Sequence, residues 1–219
     1  MAFAFGVDSV LLTEFARDIR KNSTIVDMGS GTGVLSILLS KKVNAKKIIS
    51  IEKQKEVAEM QKESVKLNSL ENTIEVINSD IKDIKLSPEE IDAVVTNPPY
   101  KKEGTGRNAK NEKQQISRFE STVDLDNWIK IASSFLNSNG SFYMVYRCDR
   151  LQELIQILSK YKLQIKRIRF VYSKASEQSN LVLIKAVKGA KEFVKVEKPL
   201  IIYNEDGTYT DEIMKIYKK

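Results

Sequence analysis

Short apolar runs alternate with amphipathic segments along the first hundred residues of the chain. An apolar run of this kind predicts a buried strand, and apolar residues at three- and four-residue spacing predict a helix. Their alternation predicts right-handed βαβ units and a mostly parallel sheet, and thus an α/β fold. The predicted elements are, in order, Val7–Ile19 (helix), Thr24–Met28, Val34–Lys41 (helix), Lys47–Ile51, Gln54–Leu67 (helix), Thr73–Ile77 and Ile91–Val95.

The pattern stops after Tyr100 and resumes near Leu125. Residues 101–121 between them are polar, and a loop of that length inside a compact domain is usually functional or disordered. The elements predicted after it are Leu125–Leu136 (helix), Ser141–Tyr146, Leu151–Tyr161 (helix), Leu163–Val171 and Asn180–Val187.

The length of 219 residues fits one domain with small extensions. We divide it into an N-terminal helical lid (1–23), a core (24–187) and a C-terminal extension (188–219). The single cysteine, Cys148, allows no internal disulfide, and the start of the chain lacks the basic region of a signal peptide. No apolar run approaches the roughly 18 to 20 residues that span a bilayer. We therefore expect a cytoplasmic protein that does not contact a membrane.

The chain contains no histidine, which excludes Ser-His-Asp and Cys-His nucleophiles and HExxH zinc sites. Its net charge of +7 is unevenly distributed. Residues 1–100 carry 13 Lys/Arg and 15 Asp/Glu, whereas residues 101–219 carry 23 and 14. The basic second half favours a polyanion such as RNA. Lysines outnumber arginines 28 to 8, so the coding bias of an AT-rich genome is the alternative explanation.

A glycine-rich loop lies between the first predicted strand and the helix after it. The loop has the spacing G-x-G-x-G, not the G-x-G-x-x-G of a dinucleotide site, and Asp27 precedes it. A carboxylate there repels a pyrophosphate and suits a cationic amine, while the glycines allow a ligand to approach the backbone. The candidate residues are Asp27, Gly29, Ser30, Gly31, Thr32 and Gly33.

Two further carboxylates follow the next two strands. Glu52 comes 19 residues after Gly33, where a carboxylate can accept hydrogen bonds from ribose hydroxyls. Asp80 is placed to accept from an adenine amine, with Ile81 as apolar packing beside it. Taken singly, these features could be a tight turn, a solvated helix start and a turn cap. In this order they predict a site for S-adenosylmethionine, which leaves as S-adenosylhomocysteine.

Asn97-Pro98-Pro99-Tyr100 follows the strand that ends at Val95. Two prolines stop a strand and make a rigid corner that presents an amide, carbonyls and an aromatic ring together. That set suits a planar amine that receives a methyl group. Asn97 and Pro98 would accept the amine hydrogens, with Asn97 also bordering the donor, and Tyr100 would stack on the base. Such chemistry requires no metal.

These motifs together resemble class I S-adenosylmethionine-dependent methyltransferases, and more narrowly the bacterial tRNA1(Val) (adenine37-N6)-methyltransferase family. The resemblance extends from the segment Phe5–Leu12 to the segment Pro199–Asn204. It implies a Rossmann-like fold, with a mostly parallel seven-stranded sheet, helices on both faces and an antiparallel C-terminal strand. It also implies that the acceptor is adenine 37 of a tRNA. Relatives often have Arg-His-Glu where this chain has Arg118-Phe119-Glu120, a departure that bears on substrate choice.

Three other functions remain open from the residues. A protein glutamine amide presents the same two hydrogens, but such enzymes carry an N-terminal substrate domain and only about 23 residues precede the sheet here. DNA adenine or ribosomal RNA is a second acceptor, and a non-catalytic RNA-binding module is a third function. The oligomeric state is not predicted. The predicted RNA contacts, in addition to Tyr100, are Lys101, Lys102, Arg107, Lys110, Arg118, Lys166, Arg167 and Arg169.

Overall fold

A computed structural model of the chain describes residues 6–98 and 124–218. Each predicted element is present there, with ends that agree to within four residues. The helices are α1 (Val7–Phe15), α2 (Val34–Val43), α3 (Lys55–Leu67), α4 (Leu125–Phe135), α5 (Leu151–Lys160) and α6 (Asp211–Tyr217). The strands are β1 (Thr24–Met28), β2 (Lys47–Glu52), β3 (Ile74–Asn78), β4 (Ala93–Thr96), β5 (Ser141–Arg147), β6 (Leu163–Tyr172), β7 (Ser179–Lys188), β8 (Lys195–Val196) and β9 (Leu200–Ile201).

The strands form one sheet in the order β3-β2-β1-β4-β5-β7-β6. Strands β1 to β5 are parallel, and β7 is antiparallel to both of its neighbours, so the predicted α/β fold is confirmed. The two-residue strands β8 and β9, which the apolar pattern did not predict, both pair with β6. The strand order reverses between β1 and β4, and ligands of such sheets bind outside the carboxyl ends of the strands at that point.

Helices cover both faces of the sheet. One face packs against α4 and α5, through residues such as Ile129 and Leu158. The other packs against α1, α2 and α6, through residues such as Leu12, Leu39 and Ile213. Because parallel strands are buried on both faces, they appear in the sequence as continuous apolar runs. Among the described helices, none has the length and apolar character needed to cross a bilayer.

A β-bulge interrupts β6 at Lys166, where the pairing with β7 shifts between Ile165 and Arg167. Ile165 and Ile168 both pack against the α4 and α5 face of the sheet. The extra residue therefore changes the alternation of the strand. As a result, Arg167 and Arg169 both lie on the face that carries α1 and α6, where they meet Asp18 and Glu212.

The chain on either side of the predicted core packs against it in the described residues. Leu11, Leu12 and Phe15 of α1 are buried against the sheet. After β7, the chain returns to β6 through β8 and β9 and ends in α6, of which Ile213 and Ile216 are buried. The functional division at residues 23 and 187 stays a prediction.

Candidate active site

The glycine-rich loop leaves the carboxyl end of β1 in a conformation that glycine favours. Gly29, Gly31 and Gly33 have φ angles of 69°, 55° and 86°. A Cβ atom on Gly33 would lie 2.5 Å from Cγ of Gln61, whereas one on Gly31 would meet nothing within 4 Å. The loop is thus packed against the protein at Gly33 and open at Gly31, where a ligand can approach the backbone.

Glu52 holds this loop from the end of β2. One of its carboxylate oxygens accepts a hydrogen bond from the Gly31 N–H (3.0 Å), and the other accepts from the Gln54 N–H (2.8 Å). The side chain is buried, with 6% of its surface exposed. The oxygen bonded to Gln54 also accepts from the Gln54 Nε2 (3.4 Å). The oxygen bonded to Gly31 has a second lone pair, so Glu52 can accept a further bond from a ligand while the loop holds it in place.

Asp27 lies buried near the end of β1 and contacts the first of two linked hydroxyl groups. Its Oδ2 accepts a hydrogen bond from Ser36 (2.6 Å), and Ser36 contacts Ser50 at 2.6 Å. Its Oδ1 is buried and has no hydrogen-bond partner among the described residues. Burial raises the pKa of Asp27 to about 7, against the hydrogen bond from Ser36 and with a further contribution from the charge of Glu52. An unpaired buried acceptor of this kind suits a hydrogen-bond donor such as an ammonium group.

Asp80 and Ile81 lie next to Glu52, beyond the end of β3. The backbone N–H of Ser79 donates to the Glu52 carbonyl (3.1 Å). Asp80 accepts from the Lys82 N–H (3.1 Å) and pairs with Lys53 (3.2 Å). These two contacts hold the pKa of Asp80 below its usual value, with the backbone hydrogen bond as the larger cause. Ile81 is buried in the core.

Asn97 and Pro98 leave the carboxyl end of β4 beside the glycine-rich loop. Thr96 is paired with Met28 and donates to its carbonyl (2.8 Å), so the next residues, Asn97 and Gly29, emerge together from adjacent strands. Asn97 is half-buried and Pro98 is buried. The Asn97 Nδ2 donates to the Ser9 hydroxyl (3.1 Å). Pro99 and Tyr100 lie outside the described residues.

Three other described side chains reach this region, and none of them belongs to the glycine-rich loop, the carboxylate positions or the Asn97-Pro98-Pro99-Tyr100 motif. Gln61 of α3 accepts a hydrogen bond from the Ser30 hydroxyl (2.7 Å). The Trp128 ring of α4 lies 3.1 Å from where a Gly29 Cβ would be, and its Nε1 donates to the Thr96 hydroxyl (3.2 Å). The third is Ser9 of α1. Helical spacing marks Trp128 only as a core residue, because spacing along one helix does not show which loop its ring will meet.

The predicted RNA contacts that the structure describes are on β6, three strands from β4 in the sheet. Arg167 pairs with Asp18 (3.0 Å) and Glu197 (3.2 Å), and its guanidinium lies 4.2 Å from the centre of the Phe15 ring. Arg169 pairs with Glu212 (2.7 Å). Lys166 donates to the Lys191 carbonyl (3.1 Å) at the surface.

The remaining predicted contacts are outside the part of the chain that the structure describes. They are Tyr100, Lys101, Lys102, Arg107, Lys110 and Arg118. Their roles stay predictions.

A model of the methyltransferase small domain matches residues 6–171. This chain belongs to the methyltransferase small domain family. A relative from Haemophilus influenzae (strain PittEE), named tRNA1(Val) (adenine(37)-N6)-methyltransferase, is 26% identical over 219 residues, which cover 99% of this methyltransferase and 90% of the relative.

Solved structures share the fold of this methyltransferase. The predicted O-methyltransferase Atu636 from Agrobacterium tumefaciens matches with a TM-score of 0.75 and 21% identity, over 96% of this chain and 95% of that one. M. jannaschii TYW2 in complex with AdoMet matches with a TM-score of 0.58 and 19% identity, over 85% and 77%. The fold is that of class I methyltransferases, as the resemblance implied.

Proposed function

We propose that this methyltransferase transfers a methyl group from S-adenosylmethionine to the exocyclic N6 amine of adenine in tRNA, and that the target is adenine 37 of tRNA1(Val). The observation that carries the proposal is the emergence of Asn97-Pro98 and of the glycine-rich loop from adjacent strand ends. The acceptor corner, Asn97-Pro98, and the donor loop, Gly29–Gly33, are therefore neighbours. The name of the Haemophilus influenzae relative, which is similar along nearly the whole chain, supports the choice of tRNA.

The described residues fit S-adenosylmethionine. The unpaired Oδ1 of Asp27 offers an acceptor for the amine of its amino-acid part, and the open side of Gly31 admits a ligand close to the backbone. Glu52 would accept from the ribose hydroxyls and Asp80 from the adenine amine, with Ile81 as apolar packing. When bound, the cofactor supplies an electrophilic methyl group on a sulfonium.

On the acceptor side, Asn97 and Pro98 would orient a weak nucleophile. The lone pair of an adenine N6 amine is delocalised into the ring. Hydrogen bonds from N6 to the Asn97 side-chain oxygen and the Pro98 carbonyl favour a more tetrahedral nitrogen, whose lone pair then points to the donor. Catalysis rests on this positioning and on electrostatics. A strong base is not required, because the proton can leave after the methyl group has been transferred.

The RNA would be held by Tyr100 and by the basic side chains named above. Stacking of a base on an aromatic ring contributes about 1–3 kcal/mol. A base in an anticodon loop is already unpaired, so it is extruded at lower cost than a base in a duplex. A tRNA substrate also agrees with the cytoplasmic location expected from the sequence.

Transfer of label from S-adenosylmethionine tests the proposal. The acceptors are unmodified tRNA1(Val), a release-factor protein and duplex DNA. We expect label in the tRNA, recovered as N6-methyladenosine at position 37 and lost in Asn97→Ala. Asn68→Ala, which removes an exposed amide at the end of α3, is the matched control and keeps full activity. Label only in protein or DNA would overturn the acceptor, and no label anywhere despite donor binding would favour a non-catalytic RNA-binding module.

A further inference from the structure

The first turn of α1 contacts the acceptor corner through one hydrogen bond. The Ser9 hydroxyl accepts from the Asn97 Nδ2 at 3.1 Å, although the two residues are far apart in the sequence. Ser9 takes no part in the donor contacts or the acceptor hydrogen bonds proposed above. The contact nevertheless involves the side chain on which the proposed chemistry depends.

A carboxamide has an acceptor end and a donor end, and only one of them is useful here. The N6 amine carries two hydrogens, so it must meet an oxygen. A carboxamide rotated by 180° would present its NH₂ group to the NH₂ group of the base. In the observed orientation, the NH₂ end of Asn97 is directed to Ser9, and the oxygen is at the opposite end.

We propose that Ser9 is a positioning residue that holds the Asn97 carboxamide at the acceptor corner. Because a serine hydroxyl can donate as well as accept, the contact fixes the place of the carboxamide, and the adenine amine selects the end that carries the oxygen. The inference rests on the proposed function and deepens it. Ser9 would not touch the reacting atoms and would act only through Asn97. It explains why a helix that precedes the sheet in sequence reaches the acceptor corner.

The position of Ser9 is itself held rigidly. Its N–H donates to the Gly6 carbonyl (3.2 Å), and its carbonyl accepts from the Thr13 hydroxyl (2.7 Å). One to two turns further along α1, Leu12 is fully buried and the Phe15 ring meets the Tyr143 ring edge-on at 6.5 Å. The hydroxyl is therefore presented by a packed helix, and a supported contact of this kind is what holds a catalytic side chain in place.

The test compares Ser9→Ala and Ser9→Thr by two measurements. The first is the exchange with water of the Asn97 side-chain NH₂ hydrogens, observed by NMR in protein labelled with ¹⁵N-asparagine and assigned by its loss in Asn97→Ala. The second is methyl transfer to tRNA. In Ser9→Ala we expect faster NH₂ exchange and a kcat about tenfold lower, with donor affinity and Tm unchanged. Ser9→Thr, which keeps the hydroxyl, should restore both values towards those of the wild type.

Ser40→Ala is the matched control, since the Ser40 hydroxyl donates to the Ile37 carbonyl within α2. It should leave the Asn97 signal and kcat unchanged. An Asn97 signal that is the same in Ser9→Ala and the wild type would overturn the inference, as would an unchanged kcat. The NMR measurement needs no RNA, so it tests the role of Ser9 separately from the proposed function. The proposed function would be overturned by a wild-type chain that does not methylate tRNA.

Discussion

At the scale of single residues, the charge of the buried Asp27 carboxyl group responds to pH in the neutral range. Its pKa is raised to about 7, so its charge changes close to neutral pH. The proposed contact with the amine of the donor requires the charged form, because an ammonium pairs with a carboxylate and not with a carboxylic acid. Donor binding and proton release from Asp27 are then linked.

We therefore expect the affinity for S-adenosylmethionine to rise by about fivefold between pH 6 and pH 7. Calorimetric titration at several pH values measures it. Asp27→Asn should bind the donor weakly and without this pH dependence. If the wild type bound equally well at both pH values, Asp27 would not be the group that meets the amine.

The same group has the opposite effect on the stability of the ligand-free protein. The folded pKa lies above the unfolded value of 3.8, so the folded state retains a proton that the unfolded state has released. The contribution of Asp27 is fully present below pH 3.8 and is lost as pH rises through about 7. Denaturation at several pH values should show this loss in the wild type and not in Asp27→Asn.

Alanine substitutions at two glycines of the loop should affect different properties, one the donor affinity and the other the stability. Gly31→Ala strains a positive φ by about 1 kcal/mol but meets no atom, so the protein should fold and lose at least tenfold in donor affinity. Gly207→Ala, with φ of 87° and open space, is the control for strain alone. Gly33→Ala should lower the free energy of unfolding by about 2 kcal/mol or more, because it collides with Gln61. Wild-type donor affinity in Gly31→Ala would contradict the proposed approach of the ligand.

At the scale of elements, Asp18 joins α1 to the antiparallel part of the sheet. It accepts from Lys185 of β7 (2.7 Å), Arg167 of β6 (3.0 Å) and the Tyr143 hydroxyl of β5 (3.0 Å). Burial acts to raise the pKa of Asp18, but these partners together hold it below its usual value. The bulge at Lys166 makes this junction possible, because it brings Arg167 to the α1 face.

The bulged residue Lys166 and the next residue, Arg167, should respond differently to replacement by alanine. Arg167→Ala should lower the free energy of unfolding by about 2 kcal/mol, because it removes ion pairs and the contact with Phe15. Lys166→Ala should change stability by less than about 0.5 kcal/mol and weaken tRNA binding a few-fold. Chemical denaturation and tRNA titration distinguish the two. A stable Arg167→Ala that loses tRNA affinity would make Arg167 the RNA contact instead.

The elements also show what a sequence can and cannot predict. The run Ile91–Val95 predicts its strand to within two residues, since both faces of the observed strand Ala93–Thr96 are buried. The same reasoning missed β8 and β9, because two-residue strands on an edge have no periodicity. It also missed the bulge at Lys166, which depends on pairing with β7. The loop residues of the candidate site have sequence signals, whereas Ser9 and Trp128 reach it only through tertiary packing.

At the scale of the whole molecule, the two halves of the chain differ in charge. The first hundred residues, which contain the donor loop, have a net charge of −2, and the remainder has a net charge of +9. The affinities for the cofactor and for a polyanion are therefore expected to depend differently on ionic strength. Phosphate contacts release counterions, whereas the proposed donor contacts are short hydrogen bonds at partly buried groups.

We expect tRNA affinity to fall more than about tenfold between roughly 50 and 200 mM salt, as a protein with several phosphate contacts would show. Donor affinity should change by less than about twofold over the same range. Filter binding and calorimetry, at fixed pH, measure the two. A tRNA affinity that is insensitive to salt would argue that the basic second half does not contact the phosphate backbone.

The placement of Trp128 has an optical consequence. It is the only tryptophan of the chain, and its ring lies against Gly29 at the mouth of the donor loop. Indole emission responds to changes in the polarity around the ring, and a ligand that settles on this loop alters that polarity. The protein thus contains an intrinsic fluorophore beside the donor loop, and donor binding can be followed as a change of emission without any added label.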